Sequence, residues 1–252
     1  MNDDCELLKK RFVELSRKAY EHSYFTFTDF LGLSEQSAFF EIKNQLRGAK
    51  YTAFGGAEGA ERVVIRFGDP DDIGYEQPHP IVTVKAEPKD QKFADKLSHR
   101  DFLGALLNLG IDRSTLGDIV IIDNVGYIFA LSDIAPYIVS SLTRVKRTDV
   151  RVSITDTLPE GELYRTERRK IQANGERLDA VIAKTFSLSR DDAQSLFHKR
   201  LVFASGKLIE STSYIPKEDE IISVRGHGRM IYRGYESLSK KGKLNIVVDV
   251  YV

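Results

Sequence analysis

One cysteine in 252 residues, Cys5, excludes an intramolecular disulfide and any Cys-rich zinc site. The five histidines, His22, His79, His99, His198 and His227, are scattered and show no His-x-x-x-His or similar ligand spacing, so no metal and no other cofactor is expected. No run of about 18 apolar residues is present, so no transmembrane helix is expected. The opening Met1-Asn2-Asp3-Asp4-Cys5-Glu6 is acidic and lacks the apolar core of a secretory signal, which points to the cytoplasm. Net charge is also absent, with 37 Lys and Arg against 37 Asp and Glu. What is present is ordinary globular material, 42% hydrophobic and 29% charged, enough for one to three domains at roughly 100–200 residues each.

The zero net charge hides an asymmetry. Residues 1–160 carry 20 basic and 25 acidic side chains, and residues 161–252 carry 17 and 12. A polyanion would bind the basic third, although a surplus of five charges also suits a plain solvated face.

The pattern along the chain predicts an α+β (α/β) protein in three parts. In residues 1–76, Leu8, Phe12 and Leu15 share a helical face. A second helical stretch starts at Thr28-Asp29-Phe30-Leu31, and a third runs from Ser34 to Leu46 and ends at Gly48. Tyr51–Phe54 and Arg62–Phe67 read as strands joined by Gly55-Gly56-Ala57-Glu58-Gly59-Ala60. That loop lies between strands and lacks the Gly-Lys-Ser/Thr ending of a phosphate-binding loop, so it reads as a hairpin connection.

In residues 77–158 the order is strand Ile81–Ala86, helix Ser98–Leu107, strands Asp118–Ile122 and Gly126–Leu131, helix Asp133–Leu142 and strand Val150–Ile154. This βαββαβ order is the ferredoxin-like arrangement used by RNA-recognition folds. Ser98 with Asp101 forms a capping box, and Asp123-Asn124 is a turn pair. Tyr127 and Phe129 share one strand face, as base stacking requires, or else belong to a covered core. Pro159-Glu160-Gly161 then leads into a basic linker, residues 159–173, where Arg165, Arg168, Arg169 and Lys170 read as a solvated linker helix or as phosphate contacts.

Residues 174–252 hold the most specific pattern. Leu178, Val181 and Ile182 form the stripe of a short helix that follows Arg177. Ser189 caps a second helix with Asp192 at its third position, and Ala193, Leu196 and Phe197 form its buried side. Lys199 and Arg200 end that helix, where cations suit its dipole. Leu201–Ala204 and Lys207–Glu210 flank Ser205-Gly206, a tight turn, and Tyr214–Pro216 leads to the strand Ile221–Val224.

Arg177-Leu178-Asp179, then Ser189-Arg190-Asp191-Asp192-Ala193-Gln194, the Gly206-Lys207 turn and Pro216-Lys217-Glu218-Asp219-Glu220-Ile221 resemble the ribosomal-protein S-four RNA-binding domain, the alpha-L motif. The match spans about 50 residues. Ser205-Gly206 stands where the domain usually has Asn-Gly, and Glu218 where it usually has Gly. The resemblance implies an RNA face built from Arg177, Lys184, Ser189, Arg190, Gln194, Lys199, Arg200, Lys207, Arg225 and Arg229. Arg168, Arg169, Lys170, Tyr127 and Phe129 are further candidates. Helix starts and the hairpin would bring Arg177, Arg190, Lys199, Arg200 and Lys207 together as one phosphate-binding face, with Arg177 and Arg190 as surface residues of little weight for folding.

The C-terminal module behind a βαββαβ unit with Leu109-Gly110-Ile111-Asp112-Arg113 and Leu116-Gly117-Asp118-Ile119, and the tail Arg225-Gly226-His227-Gly228-Arg229, resemble the bacterial YlmH family. That resemblance implies a protein that binds rRNA and tRNA, acts in ribosome quality control on the large ribosomal subunit carrying peptidyl-tRNA, and is linked to cell division. Enzymes that carry the same module differ. Related pseudouridine synthases place it before a long catalytic domain, whereas only about 25 residues follow it here. Asp179 therefore reads as a first-turn helix acid. Tyrosyl-tRNA synthetases need His-x-Gly-His-type and Lys-Met-Ser-Lys-Ser-type motifs, and haemolysin-type methyltransferases need a Gly-rich cofactor loop. The chain has none of these, and no Ser/His/Asp or Cys/His set stands out. The expectation is a non-catalytic RNA-binding protein. Two alternatives stay open: an adaptor for cell-division proteins that docks through the acidic part, and an RNA-modifying enzyme with an unrecognised N-terminal catalytic domain.

Overall fold

A computed structural model describes residues 2–46, 50–159 and 163–252. The expected helix end at Gly48 and the Glu160-Gly161 part of the expected linker lie outside the described residues. The chain divides into two compact units, Met1–Leu163 and Tyr164–Val252.

The first unit begins with α1 (Asn2–His22), β1 (Thr26–Phe27) and α2 (Leu33–Ile42), which runs on into a 3-10 turn at Lys43–Gln45. β2 (Tyr51–Phe54), β3 (Val64–Phe67) and the single turn α3 (Pro70–Ile73) follow, and the strands form a sheet in the order β1-β3-β2. Phe12 and Leu15 of α1 pack with Phe39, Ile65 and Phe67 in one apolar cluster. Thr28–Leu31 is extended rather than helical. Thr28 N–H donates to Ile65 O at 2.9 Å, its hydroxyl accepts Ile65 N–H at 2.9 Å, and Leu31 bridges to Val63. An open strand edge satisfies those backbone groups, and this outweighs the local helical pattern.

β4 (Ile81–Pro88), α4 (His99–Asn108), β5 (Leu116–Ile122), β6 (Val125–Leu131), α5 (Ala135–Ser141), β7 (Arg144–Val145) and β8 (Thr148–Thr155) form a five-stranded antiparallel sheet in the order β5-β6-β4-β8-β7. With β7 as an edge addition, this is the ferredoxin-like arrangement. Asp123 and Asn124 both adopt positive φ in the β5–β6 turn, as a two-residue hairpin of this twist requires. Period-two alternation turns Val84, Ala86, Ile128 and Ala130 toward Phe102 and Leu106 of α4 and Ile138 of α5.

The opposite sheet face is covered at one end. Phe129 is fully buried against Phe30 and Val64 of the N-terminal segment. Gly56, at φ +99°, approaches so closely that a Cβ there would lie 2.3 Å from the Phe129 ring. A polar clasp holds the two segments in one unit. Asp118 accepts the backbone N–H groups of Glu61 at 2.7 Å and Arg62 at 3.1 Å, and the Arg62 guanidinium donates to Phe30 O and Leu116 O.

The second unit comprises β9 (Thr166–Ala173), α6 (Leu178–Thr185), α7 (Arg190–His198), β10 (Val202–Ala204), β11 (Lys207–Leu208), β12 (Glu220–Val224), β13 (Gly228–Leu238) and β14 (Leu244–Tyr251). Its sheet order is β11-β10-β12-β13-β14-β9. Leu178, Val181, Ile182, Ala193, Leu196 and Phe197 cover Val202, Ile222, Met230, Tyr232 and Ile246 in one core. The stretch expected as a linker helix is instead strand β9, paired with β14 from Leu244↔Ala173 to Tyr251↔Thr166. Its charged run hides the strand in the sequence, because only Ile171 and Ala173 supply apolar alternation.

Candidate nucleic-acid interface

The α6 and α7 starts are brought together by one acid. Asp179, in the first turn of α6, is fully buried. Arg177, the N-cap residue, donates to it through Nε and Nη2, both at 3.2 Å. Gln194 donates through Nε2 at 2.9 Å, and Arg190 through Nε at 3.4 Å. The backbone N–H of Ala180 adds a bond at 2.9 Å. Burial penalises the charged carboxyl, but the Gln194 and Arg177 hydrogen bonds and both guanidinium charges outweigh it, so Asp179 titrates below its ordinary value. The two arginines stay 43% and 58% exposed, so each holds the buried acid with one edge while part of its guanidinium remains open to water, and Arg177 Nη2 also reaches Thr212 Oγ1 at 3.5 Å.

This arrangement joins Arg177, Arg190 and Gln194, three of the residues the sequence singled out. It also gives Arg177 and Arg190 a structural weight that the sequence reading denied them. Asp179 itself was missed as a site residue. Its spacing to Arg177 is suggestive, but the approach of Arg190 and Gln194 depends on how two helices pack.

The remaining candidates differ in how they are held. Lys184, Lys199 and Lys207 are exposed, and among the described residues no ion pair holds them. Ser189 is spent on capping: its Oγ accepts Asp192 N–H at 3.0 Å and donates to the Asp192 carboxylate at 2.6 Å. Arg200, at φ +58°, pairs with Glu210 at 2.8 Å. The Arg225 guanidinium lies 5.2 Å from the Phe203 ring centroid, and that of Arg229 lies 4.4 Å from Tyr251.

Arg168, Arg169 and Lys170 project from β9 and are engaged by acids. Arg168 holds Asp249 through two bonds, at 2.8 and 3.1 Å. Arg169 reaches Glu167, and Lys170 reaches Glu236. In the first unit Phe129 cannot stack on a base, because the N-terminal segment covers it. Tyr127 remains half-buried on the same strand face, opposite Lys85 and Val120.

The first unit also contains a cleft of about 420 Å³ lined by Leu8, Phe12, Phe30, Glu35, Arg62 and Arg113. Burial and the neighbouring Arg62 charge push the Arg113 guanidinium down to about 10. Both arginines spend their donors on backbone carbonyls, which makes them part of the clasp described above. Among the described residues, no three His, Cys, Asp or Glu side chains converge as a metal site requires, and no helix is long and apolar enough to cross a membrane.

Residues 82–158 match the sequence model of a family described as "Putative RNA-binding domain in YlmH". The chain is 28% identical over 249 residues to the "Ribosome-associated protein quality control protein P2" of Bacillus subtilis (strain 168), covering 94% of this chain and 91% of that protein. A solved structure, "Cell division protein ylmH from Streptococcus pneumoniae", superposes on 60% of this chain and 91% of its own, with 20% identity and a TM-score of 0.46. The ferredoxin-like domain and its match define a protein of the RNA-binding class. Together with the end-to-end similarity to the Bacillus protein, they support kinship with the YlmH family.

Proposed function

We propose that this protein binds structured RNA without catalysing a reaction on it, and that it acts in the cytoplasm in ribosome-associated quality control. Its target in this reading is the large ribosomal subunit with peptidyl-tRNA. The observation that carries the proposal is the fixing of Arg177, Arg190 and Gln194 on buried Asp179. Two guanidinium groups held at helix starts suit phosphate oxygens, because their orientation is set before binding and their outer N–H groups are accessible. Exposed Lys184, Lys199 and Lys207 in the same unit extend the positive surface. Such a surface reads RNA shape and backbone rather than base sequence. The name of the Bacillus relative supports the ribosomal setting.

The test is co-sedimentation of the full chain with purified large subunits, with and without peptidyl-tRNA, at low and high salt. Retention that rises with peptidyl-tRNA and falls steeply with salt is expected. Sedimentation no greater than that of an unrelated protein at low salt overturns the proposal.

A further inference from the structure

The turn between β13 and β14 reads Ser239-Lys240-Lys241-Gly242-Lys243. It is ordered by its own backbone. Ser239 N–H donates to Lys243 O at 2.7 Å, Gly242 N–H to Ser239 O at 2.9 Å, and Lys243 N–H to Ser239 Oγ at 2.9 Å. Gly242 supplies the left-handed conformation, φ +74°. The three lysine side chains take no part in this ordering. All are exposed, and among the described residues no acid pairs with them. The nearest acid in sequence, Glu236, is held by Lys170 at 2.6 Å. Beneath the tip, β14 is hydrogen-bonded on both sides, to β13 and to β9, so the charges stand on a three-stranded platform.

The register locates this tip. Leu244, at its base, pairs with Ala173, the last residue of β9. Arg177 is four residues beyond Ala173, so at most about 14 Å of chain separates them. Arg225 and Arg229 lie at the other end of β13, whose eleven residues span roughly 33 Å. The lysine tip therefore belongs to the Arg177 end of the sheet.

An added protein strand suits this hairpin poorly. Pairing of β12 with β13 stops at Glu220↔Tyr232, which leaves the outer edge of β13 open beyond that point. Register shifts after Tyr232 and Tyr235, with Gly234 at φ +88°, break that edge as a template. Three uncompensated cations at a rigid tip fit a polyanion instead. We infer that Lys240, Lys241 and Lys243 form a second phosphate-contacting site, which extends the Arg177–Arg190 face along the backbone of the same structured RNA. This inference rests on the RNA-binding reading above.

The probe is a fluorescent RNA stem-loop of about 16 base pairs, titrated with the full chain between 50 and 300 mM KCl. Each phosphate contact contributes about 0.7–0.9 to the slope of log affinity against log salt. Lys240→Gln, Lys241→Gln and Lys243→Gln together are expected to flatten the slope by about two units and to lower affinity tenfold or more at 100 mM, with the melting temperature unchanged. Lys10→Gln, Lys18→Gln and Lys43→Gln remove the same charge from the first unit and are expected to leave the slope as it is. An unchanged slope in the folded tip variant overturns the inference while RNA binding by the wild type stands. An equal loss in the control overturns it as a net-charge effect. No salt-sensitive binding by the wild type overturns both the inference and the reading beneath it.

Discussion

Replacing Arg177 and Arg190 together with alanine is expected to destabilise the C-terminal unit by about 2–4 kcal/mol at pH 7, far beyond the roughly 0.5 kcal/mol of an ordinary surface change. Asp179 is fully buried and would lose two bonds from Arg177 and one from Arg190, keeping only Gln194 and the Ala180 N–H. Removing the partners of a buried charge typically costs about 3–5 kcal/mol. The half-exposed arginines are partly screened by water, which places this case toward the low end. For a unit of this size the loss lowers the melting temperature by about 10–20 °C.

The pH dependence sharpens the test. In the wild type the folded carboxyl titrates below its unfolded value, so its contribution is present above that value and fades as pH falls through the folded pKa. In the double variant burial dominates and raises the folded pKa. Asp179 then stabilises only below its unfolded value, and that contribution is lost as pH rises. The deficit relative to wild type should therefore be largest near pH 7 and shrink toward pH 4. Thermal unfolding at both pH values measures it. A deficit below about 1 kcal/mol at pH 7, or one equal at both pH values, refutes the reasoning.

Three further outcomes are expected. Phe129→Ala should destabilise the first unit by about 3–5 kcal/mol, read by denaturant unfolding, because the ring fills the core between the N-terminal segment and the sheet; a loss under 1 kcal/mol would return it to the surface. Gly56→Ala meets both a positive φ and the Phe129 ring, and a melting temperature lowered by several degrees is expected; an unchanged one contradicts the close approach. The Arg168 bonds hold the Asp249 carboxyl down to about 2 against the opposing effect of burial, with Arg233 assisting. Its stabilisation is therefore present above the unfolded value near 3.9 and is lost as pH falls toward 2, so Asp249→Asn should flatten the acid limb of a stability–pH curve; an identical acid limb argues against the pairing.

Local chemistry was enough to place most elements. Ser98 with Asp101 and Ser189 with Asp192 are capping pairs within one turn, Asp123-Asn124 and Ser205-Gly206 supply the positive φ that two-residue hairpins need, and apolar alternation marks β4, β6 and β8. From these alone the βαββαβ order and the two-helix C-terminal module follow. Other features depend on groups distant in sequence. Thr28–Leu31 is extended because β3 offers an edge, and Thr166–Ala173 is a strand because β14, about 80 residues later, completes its hydrogen bonds. Phe129 has the alternation of a stacking residue, and only the N-terminal segment laid over it makes it core. At the candidate interface the sequence determined which basic side chains the C-terminal unit carries. Tertiary packing decided which of them are fixed, because a buried carboxylate such as Asp179 must find its partners on whichever helix folding brings within reach.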